Sequence, residues 1–415
     1  MKKLALLATF LLLPEALTTN ANAAEFELSG KVGIEERYFY QQPQQSGQSG
    51  QSNLSIFAEP ELYWSWNDDS DTVLFKPYLR ADQSDTQRSH GDIRELVWTH
   101  VGNDWELRTG INKMYWGVTE FQHLVDVINQ TDGVEDIDGE DKLGQQMINL
   151  SLVRDWGIID FIVMPGFRER TFAGKQGRLR AGLVVNTDRA QYQASAGQQH
   201  IDYAIRWATS VGDFDIGSSW FHGTNRDPIL TVTPKLANQE QVLNQENSSS
   251  IAQYELTPYY ELMDQASVDV QATIGDWLWK VEGIYRNSDS DNYWASQVGF
   301  EYTRVGIFET AIDIGYLMEY GKDSRGEKFG VVAQNDLFIG SRLAFNDMQS
   351  TEILLGGGID LDHNAHSLIV EASRRLGDSY KLSIDMRWFS SDSSKDVLTS
   401  ISQDDHLQIT LEKYF

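Results

Sequence analysis

The sequence predicts an all-β fold: a transmembrane antiparallel β-barrel of about eighteen strands, with sixteen also compatible, short periplasmic turns and long extracellular loops. Three observations predict it. The chain begins with the pattern of an export signal, no later run is apolar for long enough to form a spanning helix, and segment after segment alternates apolar with polar residues. Because only helices and closed barrels satisfy every backbone polar group in lipid, such a chain is expected to close into a barrel.

The first 23 residues have the three parts of a secretory signal peptide. Met1-Lys2-Lys3 supplies positive charge, residues 4–13 are almost entirely apolar, and Ala21-Asn22-Ala23 supplies the small residues of a cleavage site. The apolar run is shorter than the roughly 20 residues that a membrane helix needs. We therefore expect residues 1–23 to be a signal peptide and residues 24–415 to form a single barrel domain.

The strands can be placed in order by their period of two. In the first strand, Phe26, Leu28 and Val32 alternate with polar neighbours. The predicted strands begin near Glu25, Asn53, Asp71, Asp92, Asp104, Met147, Gly157, Gln199, Asp213, Tyr259, Trp277, Asn292, Gly306, Gln334, Ser350, Ala365, Ser379 and Asp404. The run 178–186 is compatible with a further strand or with part of a folded loop.

Short turns and long loops alternate between these strands. Tight turns are predicted at residues 67–70, 102–104, 155–157, 212–213, 275–276, near 306, at 346–347 and at 377–378. The longest connections are residues 115–146, 168–198 and 225–257. An even strand count places both chain ends on the short-turn side, as a single-chain bacterial barrel requires. The competing soluble fold is a pair of β-sandwiches.

Composition excludes some classes of function. The formal net charge is −27, with 61 acidic against 34 basic residues, so no nucleic acid partner is expected. The absence of cysteine rules out disulfides and thiolate chemistry. A mean hydropathy of −0.41 fits a soluble protein and a barrel with a polar lumen equally well, whereas 12 Trp and 17 Tyr suit membrane interfaces.

Parity assigns each strand residue to lipid or to lumen. In the segment 379–388, Tyr380, Leu382 and Ile384 would face lipid while Lys381 and Asp385 point inward. A charge on the lipid face near the midplane costs about 2 to 4 kcal/mol, so this segregation indicates a membrane environment. Residues predicted to line the lumen include Arg80, Arg108, Arg206, Lys280, Glu282, Glu371, Arg375, Asp385 and Arg387. They would brace the wall as ion pairs or filter permeating ions.

Residues 115–142 carry the clearest functional signal. The first part has apolar spacing compatible with a short helix, and the second part is acidic. An inward-folded acidic loop would narrow the lumen and favour cations, and the basic loop that follows would lay a transverse field across the pore. The candidate constriction residues are Glu120, Asp126, Asp132, Glu135, Asp136, Asp138, Arg168, Arg170, Arg178 and Arg180.

Motifs for catalysis or metal binding are missing. The sequence contains no His-Glu-x-x-His, Gly-x-Ser-x-Gly or phosphate-cradling motif, so we predict no enzymatic activity, no catalytic residue and no cofactor. The acidic cluster does not fit a calcium loop, because Val134 would hold the first ligand position and Gln145 the last. No metal site is therefore predicted.

Several segments also resemble a known family. They are Trp116-Gly117, Asp126-Val127-Ile128-Asn129, residues 335–347, residues 371–378 and residues 407–415. Together they resemble porin-like outer-membrane proteins of Gram-negative bacteria, mostly of unassigned function, and more distantly the alginate-export type of eighteen-stranded barrel. The family form has Pro where Gln130 stands here. The resemblance implies insertion by the β-barrel assembly machinery, with Tyr414 and Phe415 as the recognition end.

These observations favour a passive or weakly selective outer-membrane channel with residues 115–142 as its constriction. The expected partners are outer-membrane lipid, the assembly machinery and small solutes or ions. The main alternative is a plugged barrel that binds an extracellular ligand or acts as an assembly or transport partner. An outer-membrane hydrolase is the third candidate.

Overall fold

The computed structural model describes residues 25–235, 254–326, 331, 334–393 and 396–415. The predicted signal peptide, residues 1–23, lies outside the described residues. None of the helices in the described ranges has the length and apolar character needed to cross a membrane.

The described residues form strands and a few short helical turns. The strands are β1 (Glu25–Phe39), β2 (Ser52–Trp66), β3 (Asp71–Asp82), β4 (Gly91–Val101), β5 (Trp105–Asn112), β6 (Gln145–Arg154), β7 (Gly157–Pro165), β8 (Gln191–Tyr192), β9 (Ile201–Val211), β10 (Phe214–Thr224), β11 (Ile229–Pro234), β12 (Tyr254–Tyr260), β13 (Leu262–Ile274), β14 (Trp277–Ser288), β15 (Asn292–Arg304), β16 (Asp313–Asp323), β17 (Asn335–Ala344), β18 (Glu352–Asp360), β19 (His366–Leu376), β20 (Tyr380–Ser390) and β21 (His406–Tyr414). Turns of 3₁₀ helix lie at Thr187–Arg189, Gly197–Gln199, Ile307–Glu309 and Val397–Ile401.

Eighteen of these strands form one antiparallel sheet, and this sheet closes on itself. β1 pairs with β2 on one side and with β21 on the other, with Lys31 opposite Tyr414. At the seam, the backbone N–H groups of Gly30 and Phe415 each donate to the carbonyl oxygen of the other residue at 3.1 Å. The predicted fold class, a closed all-β transmembrane barrel of eighteen strands, is confirmed.

Most strand starts agree with the sequence prediction to within the few residues expected for such boundaries. The thirteenth start was wrong: β16 begins at Asp313 and not at Gly306. The intervening residues form a turn, in which Gly306 adopts a φ of 66° and its N–H donates to the Asp313 carboxylate at 2.9 Å. Glycine enters this left-handed region without steric cost. Gly306 therefore marks the turn before β16 and not the first residue of the strand.

The longest loops carry a small sheet of their own. β12 pairs antiparallel with β11 and parallel with β8, and β13 begins only at Leu262. The strand predicted from Tyr259 therefore starts too early, because Tyr259 belongs to this second sheet. The run 178–186 is part of a folded loop, held by a bridge between Val185 and Leu256.

The two faces of the barrel wall differ as parity predicts. Tyr203 and Tyr285 on the outside are 45% and 55% exposed, whereas Asp202 and Glu282 on the inside are fully buried. The outward band of aromatic and aliphatic side chains fits a lipid environment. Burial inside is not produced by the wall alone, since two long loops fold into the lumen.

Candidate constriction and lumen

The connection between β5 and β6, residues 113–144, lies inside the barrel. Its backbone is anchored to the wall by a carboxylate of β14: the N–H groups of Val118 and Thr119 donate to Glu282 Oε1 at 2.6 and 3.0 Å, and that of Val125 donates to Oε2 at 3.2 Å. Charge-assisted bonds of this kind are stronger than neutral ones. Glu282 therefore acts as an anchor for the loop.

Two further carboxylates accept from four more N–H groups of this stretch. Glu319 of β16 accepts from the N–H groups of Glu120 and Phe121 at 2.7 and 3.2 Å. Asp126 accepts from those of Trp116 and Gly117 at 2.6 and 2.9 Å. The short helix suggested for this segment is not formed, because side-chain carboxylates bind the N–H groups that a helix would use. Asp126, predicted at the constriction, shapes the loop itself.

The apolar half of the loop packs against one side of the lumen. Trp116, Val125, Val127 and Ile128 are buried there. They share a cluster with inward-facing wall residues, namely Met147, Ile162, Met164, Ala204, Phe221, Met263, Ile284, Tyr293 and Ala295. The sequence alone had predicted a lumen that is polar throughout. Apolar residues at inward positions of β6 to β15 were the available signal that something covers this wall.

The acidic half of the loop lies against arginines of the opposite wall. The pairs are Asp132 with Arg94 at 2.6 Å, Glu135 with Arg80 at 2.8 Å, Asp136 with Arg387 at 3.2 Å and with Arg37 at 3.7 Å, and Asp138 with Arg387 at 2.9 Å. These acids were expected to line the lumen as free charges. Instead, each of the four is paired with an arginine. Arg37, Arg88 and Arg94 were not among the predicted lumen residues, since nothing near them in the chain marks their partners.

Burial makes the protonation of this half depend on its neighbours. Burial opposes ionisation of Asp132, but His90 and Arg94 outweigh it and hold the pKa of the carboxyl below its usual range. Burial raises the pKa of the Asp141 carboxyl to about 7, and the charges of Glu135 and Asp138 contribute to the same rise. The arginines therefore stabilise charge at some carboxyls of the loop and not at others.

The sequence predicted that the arginines of the next loop face the acidic half across an open lumen. They do not. Arg168 pairs with Asp92 of β4 at 2.8 Å, Arg170 with Asp227 at 3.5 Å and Arg178 with Asp404 at 2.6 Å, while Arg180 donates to carbonyl groups of its own loop. The two loops touch, with Thr171 Oγ1 donating to Asp132 Oδ1 at 2.5 Å. Arg168, Arg170 and Arg178 are thus compensated by local carboxylates, so no transverse field is built from these three residues.

The other predicted lumen residues mostly form pairs along the wall. Arg206 binds both oxygens of Asp269 at 2.7 and 2.9 Å, Arg108 pairs with Glu106 at 2.6 Å, Arg387 also pairs with Asp385 at 3.1 Å, and Lys280 lies 3.6 Å from Glu120. Glu120 also accepts from Arg342. Glu371 and Arg375 lie on β19, with Arg375 exposed. The ion-pair interpretation of the mixed charges is the one that the distances support.

A charged cavity of about 240 Å³ lies beside the acidic half of the loop. Its lining includes Lys31, Glu35, Glu59, Arg80, Arg94, Lys113, Glu135, Asp141 and Glu412. Both signs of charge border the same space. The site as a whole is a narrowed, mixed-charge lumen.

Fold and lumen together define a class of protein, the transmembrane β-barrel with an inward-folded loop. No family model and no curated protein match the chain. Among solved structures it is similar to Wzi of Escherichia coli, an outer membrane protein involved in group 1 capsule assembly and described as a carbohydrate-binding β-barrel. The identity is 8%, the coverage 92% of this chain and 83% of that one, and the TM-score 0.49.

Two other similar structures are OmpT of Vibrio cholerae and a mutant of Rh. blastica porin. For OmpT the identity is 10%, with 97% of this chain and 100% of that one covered and a TM-score of 0.44. For the porin mutant the identity is 9%, with 94% of this chain and 100% of that one covered and a TM-score of 0.46. The function of this chain is therefore argued from its own residues.

Proposed function

We propose that this protein is an outer-membrane channel that passes ions or small solutes passively or with weak selectivity, with residues 115–142 as its constriction. The observation that carries the proposal is the course of this loop. Its first part is anchored to Glu282 and Glu319, and its second part contacts Arg80 and Arg387 on β3 and β20. β14 lies nearly opposite β1 to β3 in the order of the closed sheet, so the loop crosses the lumen and narrows it.

Paired charges favour weak selectivity over a strong preference for cations. Pores tune selectivity by rings of one sign. Here the acids of the loop are bound by arginines at 2.6 to 3.7 Å, so little uncompensated charge borders the path. The permeating species that suits such a path is a small hydrophilic solute or an ion of either sign.

The outer membrane is the proposed location. Export through residues 1–23 and insertion by the β-barrel assembly machinery, with Tyr414 and Phe415 as the recognition end, complete this proposal. Both residues lie at the closing seam, where Tyr414 is opposite Lys31 and the Phe415 N–H donates to Gly30 O at 3.1 Å. Proposed partners are membrane lipid, the assembly machinery and small solutes or ions, and no nucleic acid.

A plugged barrel is the second candidate. It is favoured by the apolar packing of Trp116, Val125 and Ile128, which fills one side of the lumen. The sheet of β8, β11 and β12 at the loop end would then belong to a surface for an extracellular ligand.

No catalytic motif supports a hydrolase, so we propose that the protein is not an enzyme. Turnover of lipid or peptide substrates would refute that.

Single-channel conductance in planar bilayers separates the first two candidates. The refolded chain should show steady steps, and a salt gradient should give a reversal potential close to zero. Heat-modifiable migration on a gel establishes that the sample is folded. Silence from a folded sample would contradict the channel and support the plugged barrel.

A further inference from the structure

His90, Asp132 and Glu135 converge inside the barrel from two separate segments. His90 ends the connection between β3 and β4, and the two acids lie in the loop 113–144. His90 Nε2 is 3.4 Å from Asp132 Oδ2 and 3.6 Å from Glu135 Oε1. The three atoms lie within 4.8 Å of one another. One nitrogen and two oxygens thus border a single small space.

The carboxylates are held by their other oxygens. Asp132 Oδ1 accepts from Thr171 Oγ1 at 2.5 Å, and Glu135 Oε2 accepts from Tyr78 Oη at 2.9 Å. Arg80 Nη2 lies 2.8 Å from the same Oε2. These contacts orient the acids and leave Asp132 Oδ2 and Glu135 Oε1 turned towards His90.

The converging atoms are buried and lack hydrogen-bond partners. Asp132 is fully buried and Glu135 is 5% exposed. Among the described residues, His90 Nε2, Asp132 Oδ2 and Glu135 Oε1 form no hydrogen bond of good geometry, although Arg94 Nη1 is an ion-pair partner of Asp132 Oδ2 at 2.6 Å and a protonated His90 would be a partner of both acids. Buried polar atoms without such partners are rare, and each one calls for an explanation.

The tautomer of His90 is set by a backbone carbonyl. Its Nδ1 lies 3.0 Å from the carbonyl oxygen of Arg88, which can only accept, so Nδ1 carries a proton. A neutral ring then presents the lone pair of Nε2 beside two carboxylate oxygens, which is the arrangement that a bound cation uses, whereas a protonated ring would itself pair with both acids. Metal-bound histidines commonly donate their other N–H to a backbone carbonyl in this way.

The distances fit a metal ion. Bonds of about 2.0–2.2 Å from a tetrahedral zinc ion place its ligand atoms about 3.3–3.6 Å apart. The two measured separations from His90 fall in this range. A histidine nitrogen with two carboxylates suits zinc and neighbouring transition metals better than calcium or magnesium, which prefer oxygen ligands alone.

We propose that His90, Asp132 and Glu135 bind one divalent transition-metal ion of the zinc class. The ion links the loop 113–144 to the β3–β4 connection, and the three protein ligands leave a fourth position for water or a solute group. This inference is independent of permeation, since it holds for an open and for a plugged barrel.

The test uses the refolded full chain without an affinity tag, stripped with a chelator and titrated calorimetrically with Zn²⁺ alone. The wild type should bind one ion per chain. His90→Gln should weaken binding at least 100-fold. His123→Gln is the matched control, because His123 lies in the loop that carries Asp132 and Glu135, pairs with Glu140 at 3.1 Å and lies outside the cluster.

X-ray absorption at the zinc edge of the loaded wild type provides a readout that needs no variant to fold. It should show one imidazole and oxygen ligands at about 2.0–2.2 Å. Two results would overturn the proposal: no stoichiometric zinc on the folded wild type, or equal affinity in the wild type and a folded His90→Gln variant.

Discussion

Arg387 shows what one buried charge does in this lumen. It is 4% exposed and contacts three carboxylates, those of Asp136, Asp138 and Asp385, at 3.2, 2.9 and 3.1 Å. Burial opposes ionisation of Asp136, yet Arg387 and Arg37 outweigh it and lower the pKa of this carboxyl. One guanidinium thus keeps Asp136 ionised and contacts all three carboxylates of the patch.

Removing that guanidinium should uncover the patch. We expect Arg387→Gln to shift the reversal potential under a tenfold salt gradient towards the cation limit, because three carboxylates lose their counter-charge. Breaking a buried pair should also cost about 3–5 kcal/mol of stability. The measurement is the reversal potential of single channels in planar bilayers.

The double variant Asp136→Asn with Asp138→Asn should shift the reversal potential in the opposite direction. It leaves Arg387 with Asp385 alone, so the reversal potential should move towards the anion limit. Arg375→Gln, on an exposed residue of β19, is the matched control for the loss of one arginine. Identical reversal potentials in all of these variants would remove the constriction from this part of the loop.

At the scale of elements, the loop 113–144 is held by wall carboxylates and not by secondary structure of its own. Glu282 accepts three of its backbone N–H groups, and Thr119 Oγ1 donates to the same carboxylate at 2.7 Å. A carboxamide at this position would offer one acceptor oxygen and no charge. Each lost charge-assisted bond is worth about 1.5–3 kcal/mol.

We therefore expect Glu282→Gln to loosen the loop without dismantling the barrel. Single-channel conductance should rise and become noisier, and the loop should be cleaved faster by an added protease. Glu371→Gln is the control, since Glu371 is a wall carboxylate of β19 for which no hydrogen bond to the loop is found among the described residues. Unchanged conductance and cleavage would mean that Glu282 does not hold the constriction.

The elements differ in how far their sequence determines them. The strands could be predicted because lipid and lumen impose a period of two on each one locally, as in β20. The loop could not, because the acceptors of its N–H groups lie in β14 and β16. His90 and Arg94 were missed for the same reason: their partner Asp132 comes from another hairpin, and neither spacing nor composition links them.

For the molecule as a whole, the seam between β1 and β21 decides whether the sheet is closed. Gly30 sits at this seam with a φ of 145°, and a Cβ at this position would lie 2.6 Å from the carbonyl oxygen of Glu59. Neither the backbone angle nor the neighbouring strand leaves room for a side chain. Lys31 supports the same junction through Glu412 at 2.8 Å.

Gly30→Val should push β1 away from β2 and thereby weaken the seam that β1 forms with β21. We expect a cost of about 1–3 kcal/mol from overpacking, seen as a lower temperature at which the heat-modifiable form unfolds on a gel. Gly50→Val is the control, because a Cβ at Gly50 would meet nothing within 4 Å. Equal unfolding temperatures for the two variants would show that the seam tolerates a side chain.

The anchoring of the loop also sets an order in time. Its acceptors and counter-charges at Glu282, Glu319 and Arg387 come 164, 199 and 251 positions after the loop residues that they bind. A growing sheet that still lacks β14, β16 and β20 has nothing to hold this segment, whose apolar side chains and bare N–H groups then stay uncovered. The loop can therefore lock in place only once β14, β16 and β20 have joined the wall.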